Sequence, residues 1–161
     1  VPTTRLATLA DAPRLTALRV LMHDAIDGPH PRGPWVKACE EAIADRLAND
    51  PTFIAYVTET DESGVVACIT GEVRRHFPGP DSLAPIYGYV ITGAAEPGYR
   101  RSGYAKDCLA ALLDHFVELG CHRVSTFTHW QGEKLCNSLG FERLGEWPVP
   151  MNWRAPDASD K

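Results

Sequence analysis

The run Pro97-Gly98-Tyr99-Arg100-Arg101-Ser102-Gly103-Tyr104-Ala105 holds the residues of this chain best suited to chemistry. Gly103 and Ala105 are small enough for a phosphate to approach the backbone, and Arg100 and Arg101 add fork-shaped donors beside it. A helix starting just after Gly103 would also present N–H groups that have no partner inside the helix. These residue types in this order predict an anion site suited to a pyrophosphate. The Lys-Ser/Thr pair of a P-loop is missing and so is GxGxxG, which disfavours nucleoside triphosphates and dinucleotides.

Two further groups of side chains have types that could do chemistry. His23, Asp24, Asp27 and His30 carry metal-ligand side chains, but their spacing is irregular and lacks the one-face geometry of HExxH, so no metal is expected. The five cysteines, Cys39, Cys68, Cys108, Cys121 and Cys136, are odd in number and show no CxxC spacing. That argues against a disulfide framework or zinc knuckle and suits a reducing cytoplasm.

The elements around the loop follow from periodicity. Residues 3 to 9 read as a strand, and Asp11 is placed to cap a helix carrying Leu15, Leu18, Leu21 and Met22 on one side. Gly28 to Pro34 holds three prolines and two glycines, hence a loop, after which Val36, Cys39, Ile43 and Leu47 recur at helical spacing. Phe53 to Thr58 and Val65 to Val73 flank the turn Asp61-Glu62-Ser63-Gly64 and predict a hairpin. Ile86 to Thr92 is strand-like and stops near Gly93. From Ala105, the residues Cys108, Leu109, Leu112, Leu113, Phe116 and Val117 form the stripe of a helix lying on a sheet, closed by Gly120. Val124 to Thr128 predicts a strand, Glu133 to Leu139 a short helix, and Glu142 to Trp153 an edge strand held there by Pro148 and Pro150.

The chain has 161 residues and a net charge of −5, with 44% hydrophobic and 23% charged residues. This is the composition of one soluble folded unit, expected over residues 1–155 with a flexible tail at 156–161. The acidic balance offers no footprint for a nucleic acid, and no apolar run is long enough for a membrane span. No charged and then apolar leader opens the chain, which points to the cytoplasm, and the start at Val1 suggests trimming or processing.

The loop resembles the coenzyme A loop of the GNAT superfamily of N-acetyltransferases, Gln/Arg-x-x-Gly-x-Gly/Ala after a Pro-x-Tyr/His-Arg approach. A second motif of that family, Leu-Tyr-x-x-x-Gly-Phe, is matched by Leu135-Cys136-Asn137-Ser138-Leu139-Gly140-Phe141. The resemblance implies an α/β (α+β) fold with a mixed, mostly antiparallel sheet of six to seven strands, splayed at the centre and flanked by about four helices. It implies acetyl-CoA as cosubstrate, with Ala94, Ala95, Arg100, Arg101, Ser102, Gly103, Tyr104 and Ala105 binding it. It implies direct transfer of an acetyl group to an amine of a small molecule, amino acid or peptide.

By the same resemblance, Glu72 is the leading general base, with His76 and His129 as alternatives. Cys136 stands where the family usually has a tyrosine that protonates the departing sulfur. His129 takes a position, often asparagine, that helps orient the pantetheine. The acceptor pocket would be walled by Met22 to Pro34, Arg74 to Pro85, and Trp147 to Trp153. There Asp24 and Asp27 could steer an amine, and Arg74, Arg75 and His76 could pair with a carboxylate. Trp147 and Trp153 either wall the pocket or bury in a homodimer seam. A non-catalytic acyl-CoA sensor is the alternative function, since Cys136 departs from the motif.

Overall fold

The computed structural model describes residues 1–156. The elements are β1 (Thr3–Leu6), α1 (Ala12–Asp27), α2 (Pro34–Asn49), β2 (Phe53–Thr60), β3 (Gly64–Arg75), β4 (Ile86–Ala95), α3 (Tyr104–Glu118), β5 (Val124–Thr126) and α4 (Trp130–Ser138). Short helical turns at Leu9–Asp11 and Pro97–Tyr99 precede α1 and α3. The expected tail at 156–161 lies, apart from Pro156, outside the described residues. Among the described residues no helix is long and apolar enough to cross a membrane.

The strands form one mixed sheet in the order β1-β2-β3-β4-β5. The first four are antiparallel neighbours, whereas β4 and β5 are parallel. A parallel neighbour cannot be reached by a tight hairpin, and α3 supplies the crossover. Among the described residues the sheet has five strands rather than six or seven. The segment Glu142 to Trp153 is the missing contribution: Pro148 and Pro150 remove amide donors, and no strand pairs with it. Trp147 and Trp153 stand 74% and 83% exposed, so within a single chain they wall no buried pocket.

Each face of the sheet has its own core. On one, Ile54, Ile69 and Val90 pack under Cys108, Leu109, Leu112 and Phe116 of α3 and Cys136 of α4. On the other, Leu15 and Leu18 of α1 cover Ala55, Val57, Val65 and Cys68. The helical stripe of α3 thus faces the sheet as its periodicity predicts, although Val117 turns out to be 55% exposed. Asp11 occupies the position before α1, yet its carboxylate does not cap that helix. It turns back to accept the Thr8 amide at 2.8 Å and a forked pair of bonds from Arg5 at 2.8 and 3.1 Å. Arg5 also reaches Glu59 on β2, so β1, β2 and the start of α1 are tied at one corner.

Phe116 sets the spacing between α3 and the sheet. Its ring is fully buried, a contribution of roughly 1.5–3 kcal/mol, and it lies directly on Gly71 of β3 and Gly88 of β4. A Cβ at Gly71 would come within 2.9 Å of the ring, and one at Gly88 within 2.6 Å. Both positions are therefore glycine for reasons of volume. Gly88→Ala is expected to cost roughly 1–3 kcal/mol through overpacking. A urea titration should show a lower midpoint with an unchanged slope, and a midpoint equal to that of the parent would overturn this account.

Candidate active site

The site begins with a strand that loses one of its two neighbours. β4 keeps β3 beside it as far as Ala95 but has β5 beside it only along Gly88, Tyr89 and Val90. The Thr126 hydroxyl donates to the Val90 carbonyl at 3.0 Å and closes the paired half of the seam. The break coincides with a bulge: Gly71 faces Val90 and Thr70 faces Thr92, so Ile91 is an extra residue that bends β4. Beyond it, Ile91 to Ala95 present a backbone edge with no strand on the β5 side. Thr70 and Thr92 join hydroxyls across the strands at 2.7 Å just where the seam opens.

The open edge runs directly into the anion loop. After the turn Pro97–Tyr99 the chain passes through Arg101 at φ 65° and Gly103 at φ 89°, both left-handed, and enters α3 at Tyr104. The first α-helical bond is that of the Asp107 amide to the Gly103 carbonyl, at 2.9 Å. The amides of Gly103, Ala105 and Lys106 find no acceptor among the described residues. Arg100 and Arg101 are exposed, and neither has a carboxylate partner among the described residues. Three free N–H groups and two guanidiniums at a helix start are groups that can donate to phosphate oxygens.

Contacts distant in sequence anchor this loop. Arg14 of α1 pairs with Glu96 and donates to the Val65 carbonyl at 2.7 Å, clamping the last turn of chain before the loop to the hairpin. Tyr99 shares a 2.7 Å hydroxyl bond with Ser63 in the hairpin turn. Ser102 folds its hydroxyl back onto the Tyr99 carbonyl. On the far lip of the seam, Gln131 of α4 donates to the Ala25 carbonyl of α1 at 3.0 Å. None of Arg14, Glu96, Gln131 or the Thr70–Thr92 pair stood out in the sequence, because nothing local marks a contact between residues so far apart.

The remaining sequence candidates fall in different places. Ala94 and Ala95 end the open edge, and His129 is exposed at the position before α4, beyond the end of β5. Glu72 lies one strand in, opposite Tyr89, on the side covered by α2. Its carboxylate is already held, by Arg46 at 2.5 Å and Arg74 at 2.6 Å. Partial burial alone would raise its pKa, but the hydrogen bonds from Arg74 and Arg46 outweigh this and hold it below the usual range. Arg74 in turn stacks on the Tyr89 ring with its guanidinium carbon 3.5 Å from the centroid. Cys136 is 8% exposed and belongs to the α3 core, and burial pushes its thiol upward. Asp24 is not available to steer a ligand, because Arg32 grips both its oxygens at 3.0 and 2.6 Å and holds the carboxyl down at about 2.

A parted seam feeding a helix start with free amides is the arrangement that the resemblance implies. Residues 18–141 match the family model described as "Acetyltransferase (GNAT) family". The chain belongs to the GNAT acetyltransferase family. As a GNAT enzyme it is an acetyl-CoA-dependent acetyltransferase. The solved structures it resembles carry the same fold at low identity. One is a predicted acetyltransferase with acetyl-CoA from Clostridium acetobutylicum, at 21% identity and TM-score 0.78, covering 94% of this chain and 96% of that one. Another is an aminoglycoside N-acetyltransferase in complex with CoA, at 16% and 0.72, covering 97% and 95%. A third is glucosamine-6-phosphate N-acetyltransferase from Arabidopsis thaliana, at 12% and 0.71, covering 96% and 98%. No curated protein matches the chain by sequence.

Two outcomes test the site. Gly103→Ala places a side chain at φ 89°, a strain of roughly 1–2 kcal/mol that the loop can relieve only by turning its amides. CoA binding measured by calorimetry should weaken by about tenfold, and an unchanged affinity would mean that these amides do not hold the phosphates. Glu72, held below its ordinary 4.5, lends stability that is present above that value and is lost as the pH falls through the folded-state value. Glu72→Gln should therefore flatten the acid limb of the stability profile below about pH 4.5. An acid limb identical to that of the parent protein would count against the Arg46–Glu72–Arg74 cluster as its source.

Proposed function

We propose that this GNAT enzyme transfers the acetyl group of acetyl-CoA to a primary amine of a small molecule, amino acid or peptide by direct attack in a ternary complex. The observation that carries the reading is the continuity of the open β4 edge with the free amides at the start of α3. The pyrophosphate would lie on the Gly103, Ala105 and Lys106 amides beside Arg100 and Arg101, and the pantetheine would run along Ala94 and Ala95 in place of the missing strand. Bound there, acetyl-CoA supplies a thioester. An amide of the open edge facing its carbonyl oxygen favours the negative charge that builds up during attack. The small-molecule amine is supported by the aminoglycoside and glucosamine-6-phosphate enzymes among the similar folds.

The amine must arrive neutral, since a free alkylammonium has a pKa of about 10.4. Glu72 was the first base offered by the sequence, but a carboxylate gripped by two arginines binds a proton poorly. His129, at the head of α4 on the far lip of the seam, is the better-placed proton acceptor. His76 sits against the Tyr87 ring at 5.3 Å, at the end of β3 away from the open edge. For the leaving group no strong acid is required, because a simple thiol ionises near 8.5. Cys136, buried in the core, then serves packing.

An acceptor screen tests the reading: acetyl-CoA with a panel of amino acids, amino sugars and peptides, followed by free thiol and product mass. Acceptor-dependent thiol release with an N-acetyl product is the expected result. Tight acetyl-CoA binding without such release across the panel would favour the sensor reading, for which the buried cysteine at 136 is the motivating observation. With an acceptor in hand, Cys136→Ala should retain turnover within about tenfold, and a loss beyond about a hundredfold would restore an acid or nucleophilic role to the thiol.

A further inference from the structure

The last turn of α1 and the loop after it hold a cluster of potential metal ligands to which the proposed acetyl transfer assigns no step. His23 and Asp27 are four residues apart on α1 and share a face, and Asp27 is the helix's final residue. Gly28, at φ 84°, then turns the chain so that His30 folds back onto the same face. One ligand atom from each of His23, Asp27 and His30 lies within 4.8 Å of the other two. His30 Nε2 is 3.8 Å from Asp27 Oδ2, too far for a hydrogen bond. That nitrogen is shielded from solvent and has no hydrogen-bond partner, although the ring as a whole is 41% exposed.

The loop holds this shape through bonds of its own. The His30 amide donates to Asp24 at 3.1 Å, Arg32 forks onto Asp24 and donates to the His30 carbonyl at 2.8 Å, and Trp35 donates to the Pro31 carbonyl at 2.9 Å. Trp35 and His30 both stand edge-on to the His23 ring, with centroids 5.8 and 6.0 Å away. Bonds from Asp24 and Arg32, neither of them one of the three ligands, thus fix the backbone that carries His30, and the Trp35 ring borders His23.

We infer that His23, Asp27 and His30 form a site for a borderline divalent ion, Zn²⁺ foremost, with a fourth coordination position left to water. Two imidazoles and one carboxylate are a common zinc donor set, with bonds of 2.0–2.2 Å and tetrahedral geometry. Such bonds place donor atoms about 3.4 Å apart, so small side-chain rotations bring these three together from their present spacing. The ion satisfies the unpartnered His30 nitrogen and ties the α1–α2 connection to the helix end. This inference stands apart from the acetyl transfer, and neither depends on the other.

The test is metal binding to the whole chain after chelator treatment and desalting. Zn²⁺ is titrated by calorimetry, and Co²⁺ is titrated by visible absorption, where a tetrahedral nitrogen–oxygen site gives intense d–d bands. The parent protein should take up one Zn²⁺ per chain, and His30→Ala and Asp27→Asn should each weaken binding by at least about tenfold. Cys39→Ser, which removes a partly exposed thiol on α2 that is not one of the three clustered ligands, should leave binding unchanged. Circular dichroism identifies any variant that has lost its fold, and His23→Gln then replaces it in the comparison. Absence of stoichiometric Zn²⁺ uptake by the parent, or equal affinity in the folded histidine and aspartate variants, would overturn the inference. So would loss of binding in Cys39→Ser.

Discussion

A backbone amide or carbonyl removed from water must find another partner, and along β4 that requirement is met on one side only. β3 accompanies the strand to its end, while β5 leaves it after Val90. The polar edge from Ile91 to Ala95 is therefore left for solvent or for a ligand that can imitate a strand. Everything else in the site maintains this inequality. The bulge at Ile91 turns β4 away, α3 carries the chain across to start β5 where it cannot follow, and Gln131 fastens the far lip to α1. Pantetheine, with its two amides, is an extended chain of the kind such an edge can pair with.

The anion loop has a complementary economy. Its free groups are main-chain amides, which only a proline would remove directly, and their direction depends on two left-handed residues, Arg101 and Gly103. Charge is kept apart from geometry. Among the described residues Arg100 and Arg101 have no carboxylate partner, whereas Arg14, Arg32, Arg46 and Arg74 are each bonded to a carboxylate within the fold. An arginine bonded to a carboxylate holds structure, and an arginine without one is free to attract phosphate.

Much of this could be read from the sequence, and what could not has a consistent cause. The stripe Cys108, Leu109, Leu112 and Phe116 identified α3 and its buried face, because a helix's burial pattern is local. Gly103 and its neighbours identified the loop for the same reason. Glu72 was legible as a carboxylate on a central strand but not as one already claimed. Its partners Arg46 and Arg74 come from α2 and from its own strand, and only the fold aligns them. The tail from Glu142 to Trp153 alternates like a strand, but pairing needs a neighbour and amide donors, and two prolines take donors away. The spacing of His23, Asp24, Asp27 and His30 is irregular as a sequence motif, although the intervals of four and three from His23 to Asp27 to His30 keep residues on one helical face. The helix stops at Asp27, yet the loop returns His30 to the place that the next turn would have given it.

Phe116 and the two glycines beneath it bind distant stretches of sequence into one unit of inheritance. A side chain at 71 or 88 becomes tolerable only after ring 116 has shrunk, and a smaller ring leaves a void unless one of the glycines has grown. The three positions cannot drift independently, so among descendants of this chain they should change together or not at all. β3 and β4 are thus constrained at these positions for a reason unrelated to the reaction, because the Phe116 ring, joined at Gly71 by Leu112 and the Tyr89 carbonyl, leaves no room for a side chain.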